Sequence, residues 1–358
     1  MQPPVPASPE EASWEQPLPL PAPAIRRSAW SSRRAVISAA VLIVVASVGL
    51  VGMKVVMASQ QVVTKNTAGP APALAGTIDP TKLSGEGDGR INILLLGIGG
   101  DGHSGGTLSD TIMVASVDPV HHTVAMLSIP RDLYVRIPGH GASKINAANS
   151  WGGPELAKQV VGEVLDLPIH YYMQVDFQGF KQAVNAVGGV DIDNATLLSD
   201  AQYPCDNGRG ICPFNLPAGD YHMDGVQALK YARCRNGTCG ADFGRAARQQ
   251  QLMIALREKA LQLSTLTNPL KISNLIDSIG NHVRTDMQLT ELQKMVVAVK
   301  AIDSSKMTTK VLDGAPDGLL MSGSRQFPGA GAILIPKAGA FNYAPIRELA
   351  HSLFIDSY

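Results

Sequence analysis

The stretch YARCRNGTCGADFGRAARQQQ concentrates guanidinium groups within a short length of chain; they belong to Arg233, Arg235, Arg245 and Arg248. Arginine forks match pairs of carboxylate or phosphate oxygens, whereas a lysine ammonium acts as a point charge. A lone arginine commonly pairs with a neighbouring aspartate, but four in one segment favour a bound polyanion. Arg233 and Arg235 are predicted to alternate along an extended segment, so that both side chains lie on one face.

The second half of this stretch predicts a helix that directs polar groups inward. Asp242 is a suitable N-cap, and FGRAARQQQLMIALREKALQL continues with helical spacing. Steps of four and three residues place on one face Arg245, Gln249, Leu252, Leu256 and Ala260. Because the leucines must face the core, Arg245 and Gln249 point inward at the helix N-terminus, where free backbone amides and the helix dipole favour an anion.

A carboxylate and a further arginine are predicted to meet elsewhere. The segments TIMVASVD and TVAMLSIP predict two strands, and the short turn-like PVHH between them predicts an antiparallel hairpin. The start of the first strand then lies beside the end of the second. Asp110 and Arg131 should therefore be neighbours at one edge of a sheet.

The elements that must position these residues alternate between strands and helices. INILLLGI, YYMQVDF and VDID predict further strands, and PELAKQVVGEVLD and FKQAVNAV predict helices. This alternation predicts an α/β class, a layered α/β/α domain with a central mixed sheet that is covered on both faces.

The N-terminal residues predict a membrane anchor. Residues 1–34 are rich in Pro and Ala and predict a disordered tail, and residues 35–57 include the uncharged run AVISAAVLIVVASVGLVGM, long enough to cross a bilayer as a transmembrane helix. A cleaved signal peptide is the main rival, but the long preceding segment and the missing small-x-small site favour an uncleaved anchor. Arginines before the span put the tail in the cytoplasm. Residues 58–88 predict an extracytoplasmic linker, and residues 89–358 predict the folded extracytoplasmic domain.

Charge and cysteine content agree with an extracytoplasmic location. Lys plus Arg equal Asp plus Glu at 30 each, so the chain lacks the basic excess typical of nucleic-acid binding. All the cysteines follow the predicted span, where disulfides persist. Local pairing is favoured, Cys205 with Cys212 and Cys234 with Cys239, over a zinc site of all four, because Cys-x-x-Cys knuckles are missing.

Several common enzyme motifs have no support. GIGGDG matches the dinucleotide fingerprint, but a predicted strand follows it where that fingerprint requires a helix. The sequence contains no P-loop, no G-x-S-x-G elbow and no H-E-x-x-H.

Four blocks, in order, resemble the LytR-CpsA-Psr family of bacterial cell-wall ligases: LLLGI with LSDTIMVASVD, LSIPRDLYVRIPG with KINAANSWGG, VDFQGFKQAVNAVGGVDI, and MDGVQALKYARCR with DFGRAARQQ. The resemblance covers roughly residues 91–263. It implies a phosphotransferase that moves a glycopolymer from an undecaprenyl (polyprenyl) pyrophosphate carrier to peptidoglycan, with a magnesium ion, Mg²⁺, at the pyrophosphate.

The resemblance also implies roles for individual residues. Asp110 resembles the magnesium-binding aspartate, and the residues that resemble the pyrophosphate-binding set are Arg131, Arg233, Arg235, Arg245 and Gln249, with Lys144 and Asn146 as further polar contacts. The chain departs from the family at two places. Leu108 stands where the family usually has an arginine, and the strand that contains LLLG is followed by a longer glycine-rich loop, GIGGDGHSGG. Asp101 in that loop is the candidate for the second metal aspartate, and Asp242 resembles an aspartate near the site.

Two other functions stay open at this point. A polyprenyl-pyrophosphate hydrolase would use the same site, and a non-enzymatic regulator of the cell envelope, a transcriptional attenuator, would need no chemistry. Asp101 or Asp132 could be the general base that activates the acceptor hydroxyl. The resemblance implies that the lipid enters an apolar pocket beneath the sheet, with helices such as PELAKQVVGEVL and LMIALREKALQL as candidates for its wall.

Overall fold

The fold is given by a computed structural model that describes residues 89–103, 105–205, 210–262, 280–302 and 306–354. The predicted tail (1–34), transmembrane helix (35–57) and linker (58–88) lie outside the described residues. Within the described ranges, no helix combines the length and the apolar composition that crossing a bilayer requires.

Strands and helices alternate as predicted. The strands are β1 (Ile91–Ile98), β2 (Ser109–Asp118), β3 (Thr123–Ser128), β4 (Tyr134–Ile137), β5 (Gly141–Lys144), β6 (Tyr171–Asp176), β7 (Val190–Asn194), β8 (Leu198–Asp200), β9 (Phe214–Leu216), β10 (Gly219–Met223), β11 (Val283–Thr285), β12 (Met307–Val311), β13 (Leu320–Ser322) and β14 (Leu334–Pro336). The helices are α1 (Ala147–Leu165), α2 (Phe177–Ala186), α3 (Gly225–Arg233), α4 (Ala241–Gln262), α5 (Leu289–Lys300) and α6 (Ala344–Phe354).

The central sheet is mixed, in the order β11-β6-β1-β2-β3-β12. β1 runs antiparallel to β2 and parallel to β6, and β12 is parallel to β3. Neighbouring residues of β1 face opposite sides, as the pleat requires. Ile93 lies in one buried cluster with Leu292 and Met295 of α5, and Leu94 lies in another with Val161 of α1. The prediction of a mixed α/β domain with both sheet faces covered is therefore confirmed.

The predicted hairpin is also confirmed. β2 and β3 pair antiparallel, with Val117 opposite Val124 and Met113 opposite Ser128. The backbone N–H of Ile129 continues the pairing by donating to the Ile112 carbonyl over 2.9 Å. The chain therefore leaves β3 beside the start of β2.

Helix α1 begins earlier than its sequence pattern predicts. The predicted segment starts at Pro154, a favoured first position of a helix. In the structure a first turn from Ala147 precedes it, and the two parts join at a kink where Gly153 has φ of 68°. Glycine adopts this conformation without the steric cost other residues meet.

Candidate functional site

Asp110 and Arg131 meet at the sheet edge, as the hairpin predicts. Arg131 Nη1 donates to Asp110 Oδ1, and both side chains are partly exposed, at 21% and 35%. Burial alone would lower the pKa of Arg131, but attraction to Asp110, Asp242 and Asp132 outweighs it and the pKa is raised. The guanidinium therefore stays charged, and it lines a pocket at this edge of the sheet.

The segment after Arg131 carries a second ion pair. Asp132 Oδ2 lies 3.7 Å from Arg131 Nε, and Asp132 Oδ1 accepts from Lys144 Nζ over 2.6 Å. Asn146 is buried, and its backbone joins the two halves of the edge: its N–H donates to the Arg131 carbonyl over 3.3 Å, and its carbonyl accepts from the Ser109 N–H over 3.5 Å. Lys144 and Asn146 thus lie beside the Arg131 segment, and their contact with a pyrophosphate stays a prediction.

The carboxylate of Asp242 lies close to both Arg235 and Arg245. Its Oδ1 lies 3.1 Å from Arg235 Nε and 2.7 Å from Arg245 Nη2. The prediction that Asp242 is the N-cap is wrong, because α4 already includes Ala241 and Asp242 lies within the first helical turn. Two guanidiniums within reach attract this carboxylate away from the capping role.

The two arginine groups form one electrostatic cluster. Arg245 is buried, and burial lowers its pKa; Asp242 opposes this effect, whereas the nearby charge of Arg131 adds to it. A pocket between them is lined by Asp110, Arg131, Asp242, Arg245 and Gln249. The predicted inward face of α4 is confirmed, since Leu252 and Leu256 are buried below Arg245.

Gln250 fixes the spacing of this cluster. Its side-chain Nε2 donates to Ser128 Oγ over 2.9 Å and to the Lys310 carbonyl over 3.1 Å. Ser128 ends β3 just before Arg131, and Gln250 lies on α4 shortly after Arg245. Helix α4 is therefore joined to the sheet edge directly beneath the arginines.

Arg233 ends a helix, which corrects the prediction that it alternates with Arg235 along an extended segment. Arg233 is the last residue of α3, and the backbone leaves the helix at Cys234. The Arg233 guanidinium lies 4.6 Å from the ring centre of Phe177 and 5.4 Å from that of Tyr203. The helix continues to Arg233 because a capping box at Asp224 begins it and apolar residues such as Leu229 anchor it.

Arg248 has a structural position. Its guanidinium is buried and donates to the carbonyls of Tyr231 over 3.0 Å and Cys239 over 2.7 Å, and also to that of Cys234. Arg248 therefore stabilises the turn between α3 and α4, and it is not among the residues that line the arginine pocket.

The cysteines pair locally, as predicted. Disulfides join Cys205 to Cys212 and Cys234 to Cys239, and both Cys234 and Cys239 are buried. The second bridge closes the turn that carries Arg235 between α3 and α4.

Asp200 supports the same turn from the other side. Its Oδ2 accepts from the backbone N–H groups of Arg235 and Asn236 over 3.1 and 3.0 Å. Burial alone would raise the pKa of Asp200, but these hydrogen bonds outweigh it and the pKa is lowered. The buried carboxylate thereby fixes the backbone that presents Arg235.

An apolar cavity of about 120 Å³ lies beside the arginine cluster, between the sheet and helices α2, α3 and α4. Its wall is apolar, including Met173, Phe180, Ala183, Leu229, Met253 and Leu256. Thr111 and Gln249 line both this cavity and the arginine pocket. α4 contributes to the wall as predicted, but α1 packs on the opposite face of the sheet, where Val160 and Val164 are part of a separate core.

Asp176 and His282 form a pair beside the apolar cavity, and neither residue was among the predicted site residues. His282 Nδ1 lies 2.7 Å from Asp176 Oδ2, while Asp176 Oδ1 accepts from the Gly179 N–H over 2.8 Å at the start of α2. Asp176 lines the cavity with Arg233. The signal was the aspartate that ends the strand YYMQVDF, because β6 is parallel to β1 and ends at the same edge.

Asp101 is exposed in the loop between β1 and β2. Its role as a metal ligand stays a prediction. The general base likewise stays a choice between Asp101 and Asp132.

Known proteins are similar to this chain in sequence and in fold. The sequence model of the LytR_cpsA_psr family matches residues 53–331. A polyisoprenyl-teichoic acid–peptidoglycan teichoic acid transferase, TagU of Oceanobacillus iheyensis, is 37% identical over 63% of this chain and 67% of its own length. TagV of Bacillus subtilis, with the same transferase description, is 35% identical over 58% of this chain and 52% of its own length.

Solved structures of other proteins have a similar fold. The crystal structure of B. subtilis TagV, at 30% identity, has a TM-score of 0.58 and covers 74% of this chain and 97% of its own. TagT bound to LI-WTA shares the fold at 24% identity, with a TM-score of 0.57 over 78% of this chain and 94% of its own. With a family match over most of its length, the chain belongs to the LytR-CpsA-Psr family.

Proposed function

We propose that this protein is a membrane-anchored, extracytoplasmic phosphotransferase that moves a glycopolymer from a polyprenyl (undecaprenyl) pyrophosphate carrier to peptidoglycan. The observation that carries the proposal is the junction of the apolar cavity with the arginine pocket, since Thr111 and Gln249 line both. An apolar chain joined to a pyrophosphate has the same two-part chemistry. The named relatives transfer teichoic acid, which supports a glycopolymer as the transferred group.

The arginines would act on the charge of the pyrophosphate. The acceptor hydroxyl attacks the phosphorus that carries the glycan, a new P–O bond forms, and the bond to the lipid phosphate breaks. Arg131, Arg233, Arg235 and Arg245 would stabilise the charge that gathers on the leaving polyprenyl phosphate. The hydroxyl proton would pass to Asp101 or Asp132.

The donor set at the sheet edge suits Mg²⁺. This ion prefers oxygen ligands and is commonly held by one or two carboxylates together with substrate phosphates. Asp110 offers a partly exposed carboxylate beside the arginine pocket, and Asp101 lies in the neighbouring loop. We infer that Asp110, with Asp101, would hold the ion. When bound, Mg²⁺ would supply charge neutralisation on the phosphate oxygens.

The proposed location rests on the sequence. The uncharged run within residues 35–57, preceded by arginines, supports a single span with the N-terminus in the cytoplasm and the catalytic domain outside. The paired cysteines fit an oxidising compartment.

The test is to incubate the full-length protein in detergent with Mg²⁺ and a polyprenyl-pyrophosphate glycan, with and without peptidoglycan. Glycan linked to peptidoglycan supports the proposal. Free glycan phosphate released at the same rate with acceptor present would identify a hydrolase, and an unchanged donor would contradict any activity at this site. Arg284→Ala, an exposed arginine on β11, is a matched control for Arg235→Ala.

A further inference from the structure

A second recess is built on the β4–β5 hairpin. We call it the aromatic groove; it has a volume of about 510 Å³ and its lining includes Tyr134, Ser143, Lys144, Gln326 and Phe327. Its floor comes from the β4–β5 hairpin, and its other wall from the segment between β13 and β14. Unlike the apolar cavity, it combines rings with amide, hydroxyl and ammonium groups.

The two rings that line the groove, those of Tyr134 and Phe327, belong to a cluster of three. The ring centres of Tyr134 and Phe327 are 4.9 Å apart, and Phe341 lies 5.8 Å from Tyr134 and 6.1 Å from Phe327. The Arg136 guanidinium lies 4.8 Å from the ring centre of Phe341. All three rings keep part of their surface in solvent. A ring cluster of this kind that is not closed into a core offers flat apolar faces to a ligand.

The backbone at Phe341 is strained. Its φ of 64° lies in the left-handed region, which bulky residues rarely adopt. Residues in such a conformation persist only where the surrounding structure holds them, and they cluster at active sites and ligand-binding positions. Here it sets the third ring of the cluster.

Direct contacts connect the groove to Asp132, the residue that follows Arg131. Tyr134 pairs with Lys144 across the hairpin, and Lys144 Nζ lies 2.6 Å from Asp132, the neighbour of Arg131. The Leu334 N–H also donates to the Asp132 carbonyl over 2.9 Å, which fixes the second wall to the same residue. The groove is therefore connected through Asp132 to Arg131, which lines the arginine pocket.

We propose that the aromatic groove binds the acceptor, the glycan strand of peptidoglycan; this rests on the proposed function and adds a substrate subsite to it. The apolar C–H face of a pyranose ring packs on an aromatic ring, while its hydroxyls need the hydrogen-bonding groups that Gln326 and Ser143 supply. Lys144 in the lining and Arg136 on the same hairpin match the carboxylates of the attached peptides. The groove would then bring an acceptor hydroxyl towards the pyrophosphate, and it shares no lining residue with the apolar cavity that would take the lipid.

The test separates acceptor binding from chemistry. A soluble disaccharide–peptide fragment of peptidoglycan is titrated by calorimetry into the full-length protein in detergent, with no donor present. Phe327→Leu, which keeps an apolar side chain but loses the ring face, should weaken binding about five- to tenfold. Phe327→Trp should retain it, and Tyr221→Leu on β10 is the matched control. Gln326→Ala, at an exposed position, provides a second variant that leaves the core untouched.

In the transfer reaction, Phe327→Leu should raise the acceptor KM by a similar factor with kcat at saturating acceptor and donor KM unchanged. Equal affinity of wild type and both groove variants for the fragment, or no binding by wild type at millimolar concentration, would overturn the inference. If wild type binds the fragment but transfers nothing, the proposed function fails while the titration still decides the groove.

Discussion

Arg235 and Arg245 share one carboxylate, that of Asp242, although they approach it from different elements. Arg245 is on helix α4 and is 11% exposed, whereas Arg235 is on the preceding turn and is 44% exposed. Both groups are thus directed to the same space, but only one of them is part of the packed structure.

This difference makes Arg235 the cleaner test of the anion site. Arg235→Ala should reduce transfer about 10²- to 10³-fold, because each electrostatic contact to a developing charge contributes about 2 to 4 kcal/mol. The free energy of unfolding should change by less than about 1 kcal/mol, as for other exposed ion pairs. Transfer rates and urea unfolding of the variant and of Arg284→Ala measure both effects. Near-normal turnover of Arg235→Ala would refute its assignment, and the same holds for Arg131→Ala.

Arg248 should behave in the opposite way. Arg248→Ala leaves the carbonyls of Tyr231, Cys234 and Cys239 without their buried donor, and we expect a loss of about 3 kcal/mol in the free energy of unfolding. Arg248→Lys should recover little, since an ammonium cannot span three carbonyls in one plane. Thermal unfolding of both variants tests this. A variant of wild-type stability that cannot transfer would place Arg248 in the anion site instead.

The Cys234–Cys239 bridge is expected to contribute more to stability than to turnover. Closing so short a loop contributes about 2 kcal/mol in the chain-entropy treatment. Asp200 and Arg248 already hold the backbone of the same turn, so Cys234→Ser/Cys239→Ser should retain transfer within about tenfold. Cys205→Ser/Cys212→Ser is the control for a bridge outside the turn that carries Arg235. If the first double variant is stable but inactive, the bridge has a direct role in aligning Arg235.

Asp200 predicts an acid limit to stability. Its pKa is lower in the folded protein than in the unfolded chain, so the charged form stabilises the fold above pH 3.8 and this contribution is lost as pH falls through the folded-state pKa. Asp200→Asn should cost about 1 to 3 kcal/mol at pH 7 and flatten the acid limb of the stability profile. Urea unfolding from pH 2 to 7 measures it, with exposed Asp220→Asn as control. An acid limb that is unchanged in Asp200→Asn would show that other carboxylates set it.

The apolar cavity can be filled from α2. Ala183→Phe places a ring into the space of about 120 Å³, and we expect donor KM to rise more than tenfold for a long polyprenyl chain. A donor with a truncated prenyl chain should be affected little, because it needs less of the cavity. Kinetics with both donors compare the two, and thermal unfolding checks the fold. Equal effects on both donors would argue that the lipid lies elsewhere.

Contacts between elements that are adjacent in the chain were predictable from the sequence. The turn PVHH was enough to bring Asp110 to Arg131, since a hairpin has one register near its turn. The helical stripe predicted that Arg245 and Gln249 point inward. It could also have predicted the burial of Arg248, which lies three residues after Arg245 and four before Leu252.

What depends on long-range contacts was not predictable in the same way. Asp176 meets His282 across 106 residues, and no local pattern links them. The direction of Arg233 was missed because α3 continues to that residue, where the burial of Ala228 and Ala232 keeps the chain helical. The aromatic groove needs a C-terminal segment to return to β4, a contact that periodicity alone does not describe.

The two hydrogen bonds of Gln250 have a thermodynamic consequence. Because this amide joins α4 to Ser128 and Lys310, the separation of Arg131 and Arg245 is set before any substrate arrives. Binding of a pyrophosphate then requires little ordering of backbone, so the loss of conformational entropy on association is small and most of the attraction appears as affinity. Lengthening or shortening the reach of this one side chain would alter the binding entropy of the donor while leaving every charge in place.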